Sequence, residues 1–412
     1  MWGVFLLFLL FQGIIEHQFP MIPLYSYWDE FLTLLCLALW IFRFLIRERG
    51  IKTESLRLAF PWLLVVPIGV LGNAAFHYAM NTQAIIRDAV GFLKFPLALF
   101  TFREMRWDVR IVRAFRRHGA RILKIAVSIM FVSAIISLFH DIGMSNDDIL
   151  HGVYSCQFLF NHPTVVVYAS AASLCLLYAD EPRKRNFVFQ MMLVIVIILA
   201  MRTKGFAFLG VYFLIRHSSA FPKQLKPLYI PCAVLLVFAI SFPKLSLYMS
   251  YSIGQQSGSP RETLWRGSFQ LMRDCFPIGS GFASFASHIS GKYRSRVYDF
   301  INMWQLWLED GSPSPDLGDT GYPYYIAQFG FLGMLALFIG TLRILKLWGR
   351  RPRSSPRRRG KAEYLLILYI AISLTSESLL LNHGFELAVI LAVIIRCDEM
   401  RRKSRTLLIG GN

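Results

Sequence analysis

Long apolar runs separated by short polar stretches dominate the chain. A helix needs about 20 mostly apolar residues to cross the hydrocarbon core of a bilayer, and about twelve runs approach that length. They lie at 2–15, 31–46, 58–80, 84–102, 122–139, 157–179, 187–201, 205–216, 228–242, 321–341, 364–380 and 384–396. The pattern therefore predicts an all-α polytopic membrane helix bundle of about 12 transmembrane helices, forming a single integral membrane domain over 1–412.

Composition supports a membrane protein. The 412 residues are 55% hydrophobic and only 17% charged, and the mean hydropathy is +0.47. An ordinary soluble domain does not carry that much apolar surface. The first apolar run has no basic residues before it and no small-residue cleavage site after it, so we expect an uncleaved first span.

The net charge of +19 would suggest nucleic acid in a soluble protein. When the loops are alternated from a cytoplasmic N-terminus, however, most Lys and Arg residues fall on the inner side. The richest inner loops are 103–124 and 343–361. This asymmetry follows the positive-inside rule, predicts that both termini are cytoplasmic, and requires no nucleic-acid partner.

The longest non-hydrophobic interval runs from 243 to 320, and the alternation places it outside as one long periplasmic loop. Within it, apolar residues between Glu262 and Cys275 recur at helical spacing, which predicts an amphipathic helix on the membrane surface. Pro277 ends that helix. Gly279 and Gly281 then predict a tight turn whose backbone can approach a ligand closely.

Several charges interrupt apolar segments. Arg87 and Lys94 lie seven residues apart in the fourth predicted span and therefore share a helix face. They are either ion-paired or snorkelling cations, or they line a groove for an anionic substrate. Arg202 and Lys204 occupy a very short outer turn, where cations run against the positive-inside trend. We expect them to hold an anionic group, although lipid phosphates could satisfy them too.

Three motifs in order resemble the bacterial O-antigen polymerase and ligase superfamily, which includes exopolysaccharide polymerases. The first is the basic outer turn 202–205, and the second is Arg261-x3-Trp265 followed by Pro277-x-Gly279-x-Gly281. The third is a polar residue, Asp319, ahead of Gly330 and Gly333. Together they cover about a third of the chain. Ligase-like members typically carry His at the position of Asp319, so the resemblance favours the polymerase branch.

The resemblance implies transfer of a glycan from a polyprenyl diphosphate carrier onto a sugar hydroxyl of a lipid-linked repeat unit, at the periplasmic face of the bacterial inner membrane. Guanidinium and ammonium groups suit a diphosphate leaving group, and a carboxylate at the membrane boundary suits the base. We therefore expect Asp319 to act as the base, with His288 and Glu309 as weaker candidates, and Arg261 and Arg202 to stabilise the leaving group. The expected substrate-binding residues are Lys204, Arg266, Trp265, Gly279, Gly281, His288, Arg87 and Tyr322.

Two alternatives stay open. Within the same enzyme class, the protein could be an O-antigen ligase that transfers finished glycan to the lipid A core. Outside it, a flippase or transporter of the lipid-linked sugar would carry internal repeats and broken helices near the bilayer midplane. We expect a metal-independent enzyme without a cofactor. The resemblance implies the lipid-linked oligosaccharide and the bilayer as partners, together with a chain-length regulator and a flippase.

Overall fold

The structure is a computed structural model of the chain. It describes residues 2–18, 27–45, 53–140, 142–150, 153–180, 186–217, 260–303, 306, 312–349 and 361–409. The predicted span at 228–242, the base candidate Glu309, and most of the basic inner loop that follows 349 lie outside these ranges.

The described part of the chain is mostly helical. The α-helices are α1 (Trp2–Gln18), α2 (Trp28–Leu45), α3 (Thr53–Phe76), α4 (Thr82–Glu104), α5 (Trp107–Ala114), α6 (Ala120–Ile136), α7 (Pro163–Asp180), α8 (Phe187–Leu199), α9 (Thr203–His217), α10 (Pro260–Asp274), α11 (His288–Lys292), α12 (Val297–Phe300), α13 (Gly321–Gly349), α14 (Lys361–Ser373), α15 (Leu379–Asn382) and α16 (Gly384–Ile409). A π-helical turn (Phe115–Gly119) joins α5 to α6, and a 3-10 turn (Pro315–Gly318) precedes α13.

Each predicted apolar segment within the described ranges overlaps a helix, but the count of twelve spans is not reached. Among the described residues, 4 helical segments are long and apolar enough to cross a membrane: 56–76, 107–136, 163–180 and 321–345. The apolar helices α1, α8 and α14 are shorter. Helices α2, α4 and α16 carry several charged residues each. The sequence pattern marks apolar runs correctly, yet it does not separate a full span from a helix packed inside the bundle.

The core lies where α16 meets α4 and α7. Every residue from 387 to 395 of α16 is fully buried, and 83% of the α7 window is buried inside the protein. Residues 387–395 of α16 and most of α7 are apolar around the whole helix, and a helical segment of this kind normally occupies a central position. Around this core, α3 packs against α13, and α13 packs against α10.

A small β-hairpin departs from the predicted all-α fold. Strands β1 (Ser145–Leu150) and β2 (Val153–Cys156) pair antiparallel, with Leu150 opposite Val153. The polar segment after α6 therefore forms two strands in a chain for which the apolar pattern predicts only helices. Helix α7 begins at Pro163 rather than at 157, as the fixed φ of proline at a helix start favours.

The described part of the predicted periplasmic loop is folded into the helical body rather than free. Helix α10 forms the first described segment of this loop, and Leu264 and Leu271 of that helix are fully buried. Further on, Phe282, Phe285 and Ala286 are fully buried too. The amphipathic helix is confirmed as a helix, and its buried face packs on α13 instead of resting on the bilayer surface alone.

Candidate functional site

Two of the three predicted catalytic residues meet directly. Arg261 lies in the first turn of α10, and Asp319 follows the 3-10 turn just before α13. The Arg261 Nη2 donates to Asp319 Oδ2 at 3.1 Å. The two side chains are 40% and 42% exposed, so the pair stands at the surface of the helical body and is open to a ligand.

A second ion pair lies beside the first. Lys204 in the first turn of α9 has its Nζ 2.5 Å from Oε1 of Glu377, which lies in the bend between α14 and α15. These side chains are only 5% and 14% exposed. Arg202 and Arg261 act electrostatically on Lys204, and Asp319 acts on Glu377, so the two pairs belong to one neighbourhood.

Arg202 completes this group. Its Nη2 lies 3.3 Å from Nε2 of His162, at the start of α7. We call Arg202, Lys204, Arg261, Asp319 and Glu377 together the cation cluster. Its members come from the start of α9, the start of α10, the start of α13 and the bend after α14. Three cations against two carboxylates leave a surplus of positive charge, which favours an anionic ligand.

Burial changes the acidity of both carboxylates in the cation cluster. Partial burial raises the pKa of the Asp319 carboxyl, although the neighbouring Arg261 cation opposes that rise. Burial likewise raises the pKa of Glu377, with Lys204 opposing it. A carboxylate with a raised pKa accepts a proton more readily than an ordinary aspartate, and general bases need this property.

The aromatic candidates flank the cluster, and Arg266 lies apart from it. The ring centroids of Trp265 and Tyr322 are 6.1 Å apart, and those of Trp265 and Phe269 are 5.8 Å apart. Both Trp265 and Tyr322 are half-buried, which leaves part of each ring available for contact. Arg266 is 79% exposed and pairs with Glu262 one turn earlier on the same helix, so the structure does not bring it to Asp319.

Gly279 and Gly281 are buried and contact the protein's own backbone rather than an open space. Both have positive φ, 79° and 88°. A Cβ on Gly281 would lie 2.4 Å from the backbone nitrogen of Asn73 in α3, and one on Gly279 would lie 2.4 Å from that of Gly330 in α13. The tight turn is confirmed, but it forms a joint between α3 and α13 instead of a ligand contact.

The joint also supplies hydrogen-bond partners to backbone groups at a break in α13. Gly330 adopts φ 57° and ψ −156° inside the helix, which interrupts the helical ladder. The backbone N–H of Gly281 donates to the carbonyl of Gln328 at 2.9 Å, and that of Leu332 donates to the carbonyl of Pro277 at 3.0 Å. Backbone groups freed within a membrane domain need such partners, because no water is available to satisfy them.

A cavity of about 870 Å³ opens beside the cation cluster, and we call it the chamber. Two of the predicted site residues, Arg87 and His288, line it. It meets the cluster at Gly318 and Ser378, which precede Asp319 and follow Glu377 in the chain. It also reaches Asn161, next to the His162 that contacts Arg202.

The chamber wall contains an ion-pair triad of Lys94, Asp29 and Glu30 that no sequence motif indicates. The Lys94 Nζ lies 2.6 Å from Oδ2 of Asp29 and 2.6 Å from Oε1 of Glu30. It also donates to the carbonyl of Leu381 at 3.3 Å. The charge inside the apolar run at Lys94 is a signal that the sequence offers, whereas Asp29 and Glu30 are acidic residues in the first turn of α2, a common position for such residues. Only the packing of α2 against α4 brings them together.

Within the described residues, no group of three or more His, Cys, Asp and Glu side chains is arranged to hold a metal ion. No protein-family model matches the chain, and no curated protein matches it by sequence.

Proposed function

We propose that this protein is a membrane glycosyltransferase that polymerises polysaccharide repeat units, transferring glycan from a polyprenyl diphosphate carrier onto a lipid-linked repeat unit. One observation carries the proposal: the Arg261–Asp319 pair stands open to a ligand, at the border between the cation cluster and the chamber. The resemblance of the three sequence motifs supports the same activity. We further propose that the reaction takes place at the periplasmic face of a bacterial inner membrane.

The cation cluster suits the leaving group. In the transfer, the bond between the anomeric carbon and the diphosphate oxygen breaks, and its electron pair stays on the diphosphate. Arg261, Arg202 and Lys204 would stabilise that charge, and guanidinium groups fit phosphate oxygens with two parallel hydrogen bonds. Because these cations occupy helix starts in the folded body, they are positioned before the substrate arrives.

Asp319 is suited to the role of general base. The acceptor hydroxyl oxygen forms the new bond to the anomeric carbon, and its proton passes to the Asp319 carboxylate. In the structure, Nη2 of Arg261 donates to that carboxylate at 3.1 Å. When Arg261 turns to the diphosphate, it leaves the carboxylate available, so donor binding and base activation are coupled.

An elongation assay tests the proposal directly. Purified full-length protein in lipid nanodiscs is supplied with a lipid-linked repeat unit, and the products are separated on a gel. Wild type should give a ladder of longer glycans, and Asp319→Asn should reduce the rate by at least about a hundredfold, as loss of a general base does. Asp316→Asn is the matched control, because Asp316 lies in the same turn and bonds to Ser314. Equal loss in both variants would contradict the proposed base.

The pattern in cells separates this proposal from its alternatives. Deleting the gene should leave surface glycan carrying a single repeat. Long glycan that accumulates on its carrier without reaching the final lipid would identify a ligase instead. Movement of lipid-linked sugar across vesicles without a new glycosidic bond would identify a transporter.

A further inference from the structure

The chamber and the cation cluster have opposite electrostatic character although they adjoin. The chamber wall carries the carboxyl groups of Glu16, Asp29, Glu30 and Asp88. Its two permanent cations are Arg87 and Lys94, and Lys94 is already held by a pair of carboxylates. A diphosphate in the chamber would face a predominantly negative wall. The chamber is therefore unsuitable for a diphosphate, whereas the cation cluster is suitable for one.

The chamber presents hydrogen-bond acceptors that lack donors. Gln12 lines the chamber and is 4% exposed. Its Nε2 donates to Glu386, whereas its Oε1 has no hydrogen-bond partner among the described residues. Oε2 of Glu30, also in the chamber wall, is buried and unpartnered in the same part of the structure. Buried acceptors without donors are unfavourable, and a ligand rich in hydroxyl groups would satisfy them.

The remaining lining is typical of a site for a neutral, polar ligand. The side chains of Asn161, Asn382 and Ser287 add amide and hydroxyl groups that both donate and accept. The volume of about 870 Å³ falls within the range of small-molecule sites, about 300–1,000 Å³. A short oligosaccharide combines that size with many hydroxyl donors.

We infer that the chamber is the binding site for the sugars of the acceptor repeat unit, separate from the cation cluster that holds the diphosphate of the donor. The inference rests on the proposed function. Because the chamber meets the cluster at Gly318 and Ser378, an acceptor hydroxyl at that border would lie beside Asp319. Specificity for the sugar then resides in α1, α2 and α4, whereas the diphosphate is recognised by α9 and α10.

Gly91 offers a way to close the chamber without changing its charge. It lies in α4 on the chamber wall, and a Cβ there would meet only Leu381, at 3.7 Å. Gly91→Leu should therefore fill part of the space, and Gly91→Ala is the matched control that barely intrudes. Asn161→Phe is a second obstruction at an exposed position, so a folding defect in one variant does not decide the question.

Two probes distinguish the sites. The first is the single repeat oligosaccharide released from its carrier, and the second is farnesyl diphosphate; binding of each to full-length protein in nanodiscs is measured at equilibrium. Gly91→Leu and Asn161→Phe should raise the Kd for the oligosaccharide at least about tenfold and leave that for farnesyl diphosphate unchanged. Arg261→Gln should raise the Kd for farnesyl diphosphate and leave that for the oligosaccharide unchanged. Gly91→Ala should bind the oligosaccharide as wild type does.

The outcomes separate this inference from the proposed function. If wild type elongates glycan but both obstructions leave oligosaccharide binding unchanged, the chamber assignment is wrong and the transferase stands. If the obstructions weaken oligosaccharide binding but no elongation occurs, the chamber is a sugar site and the transferase proposal fails. If the obstructed variants bind both the oligosaccharide and farnesyl diphosphate more weakly, the two sites are not separate and the inference is overturned.

Discussion

The guanidinium of Arg261 lies 3.1 Å from the carboxylate of Asp319, although the two residues belong to different helical segments 58 positions apart. Each partner is also accessible to solvent, so the pair can open without unfolding its surroundings. The pair therefore links the protonation of the proposed base to the occupancy of the proposed donor site, and this link has consequences that can be measured.

The first prediction concerns the pH dependence of elongation. Asp319 must be ionised to accept a proton, and the Arg261 cation opposes the rise in its pKa that burial causes. Replacing Arg261 with Gln removes that opposition, so the pKa of Asp319 rises further. The acidic limb of the kcat/KM profile should therefore move to higher pH, in addition to the loss of rate caused by weaker donor binding.

Arg273→Gln is the control for this experiment. Arg273 lies at the other end of α10, is 79% exposed and pairs with Asp274. Its removal lowers the net charge equally but should leave the acidic limb in place. An acidic limb that shifts equally in both variants would indicate a general effect of charge and would argue against the Arg261–Asp319 coupling.

The second prediction concerns the ion pair between Lys204 and Glu377. Both groups are largely buried, and removing one partner of a buried pair leaves an uncompensated charge at a cost of about 3–5 kcal/mol. Lys204→Met should therefore lower the free energy of unfolding by roughly that amount. The double variant Lys204→Met with Glu377→Leu should recover much of the loss, because neither charge remains.

Thermal unfolding of the four proteins in the same detergent completes a double-mutant cycle for this pair. Activity gives a second measurement, because the double variant should regain stability without regaining donor binding. Additive losses of stability in the cycle would show that the two side chains are not coupled.

The third prediction concerns the triad of Lys94, Asp29 and Glu30. Replacing Lys94 with Met leaves two neighbouring carboxylates without their shared cation, and like charges held close together repel. The variant should unfold at a lower temperature than wild type at neutral pH. The difference should shrink as the pH falls, because protonation of the carboxyl groups removes the repulsion.

A series of unfolding temperatures measured from neutral to acidic pH tests this. Adding Asp29→Asn and Glu30→Gln to Lys94→Met should also restore stability at neutral pH. A deficit that is independent of pH would mean that Lys94 contributes through packing of its aliphatic stem instead.

The fourth prediction concerns Gly281. An alanine there would adopt an unfavourable positive φ and would also place its Cβ 2.4 Å from a backbone atom of Asn73. The left-handed conformation alone costs roughly 1–2 kcal/mol, and the clash adds to it. Gly281→Ala should therefore lower the yield and the thermal stability of the purified protein.

Gly143→Ala separates the two contributions. Gly143 also has a positive φ, 73°, but a Cβ there would have nothing within 4 Å. It should show only the conformational cost, and a Gly281→Ala variant that is no less stable than Gly143→Ala would contradict the tight joint.

Sequence reasoning predicted the helices and part of the site because their signals are local. Apolar runs, the proline at 277 and the charge at Lys94 can each be recognised within a few residues. The contact between Arg261 and Asp319 was expected from the motifs as a shared outer location, but its geometry depends on how α10 packs against α13. The triad could not be predicted, because Asp29 and Lys94 come together only through the packing of α2 on α4.

The turn at Gly279 and Gly281 was also only partly predictable from the sequence. A positive φ at Gly279 and Gly281 was predictable, since the spacing of Gly and Pro signals a turn. The partner that the turn contacts was not predictable, because close approach of a ligand and close approach of a neighbouring backbone both require glycine. Only the positions of Asn73 and Gly330 show that the demand comes from within the protein.

The break in α13 at Gly330 also bears on how the protein is assembled in the cell. The carbonyl of Gln328 and the N–H of Leu332 find their partners only when residues 277–281 are docked. Helix α13 therefore remains incompletely hydrogen-bonded until the preceding segment has docked on it. Because that segment follows α10 directly in the chain, its docking also holds α10, which carries Arg261, against α13, which Asp319 precedes.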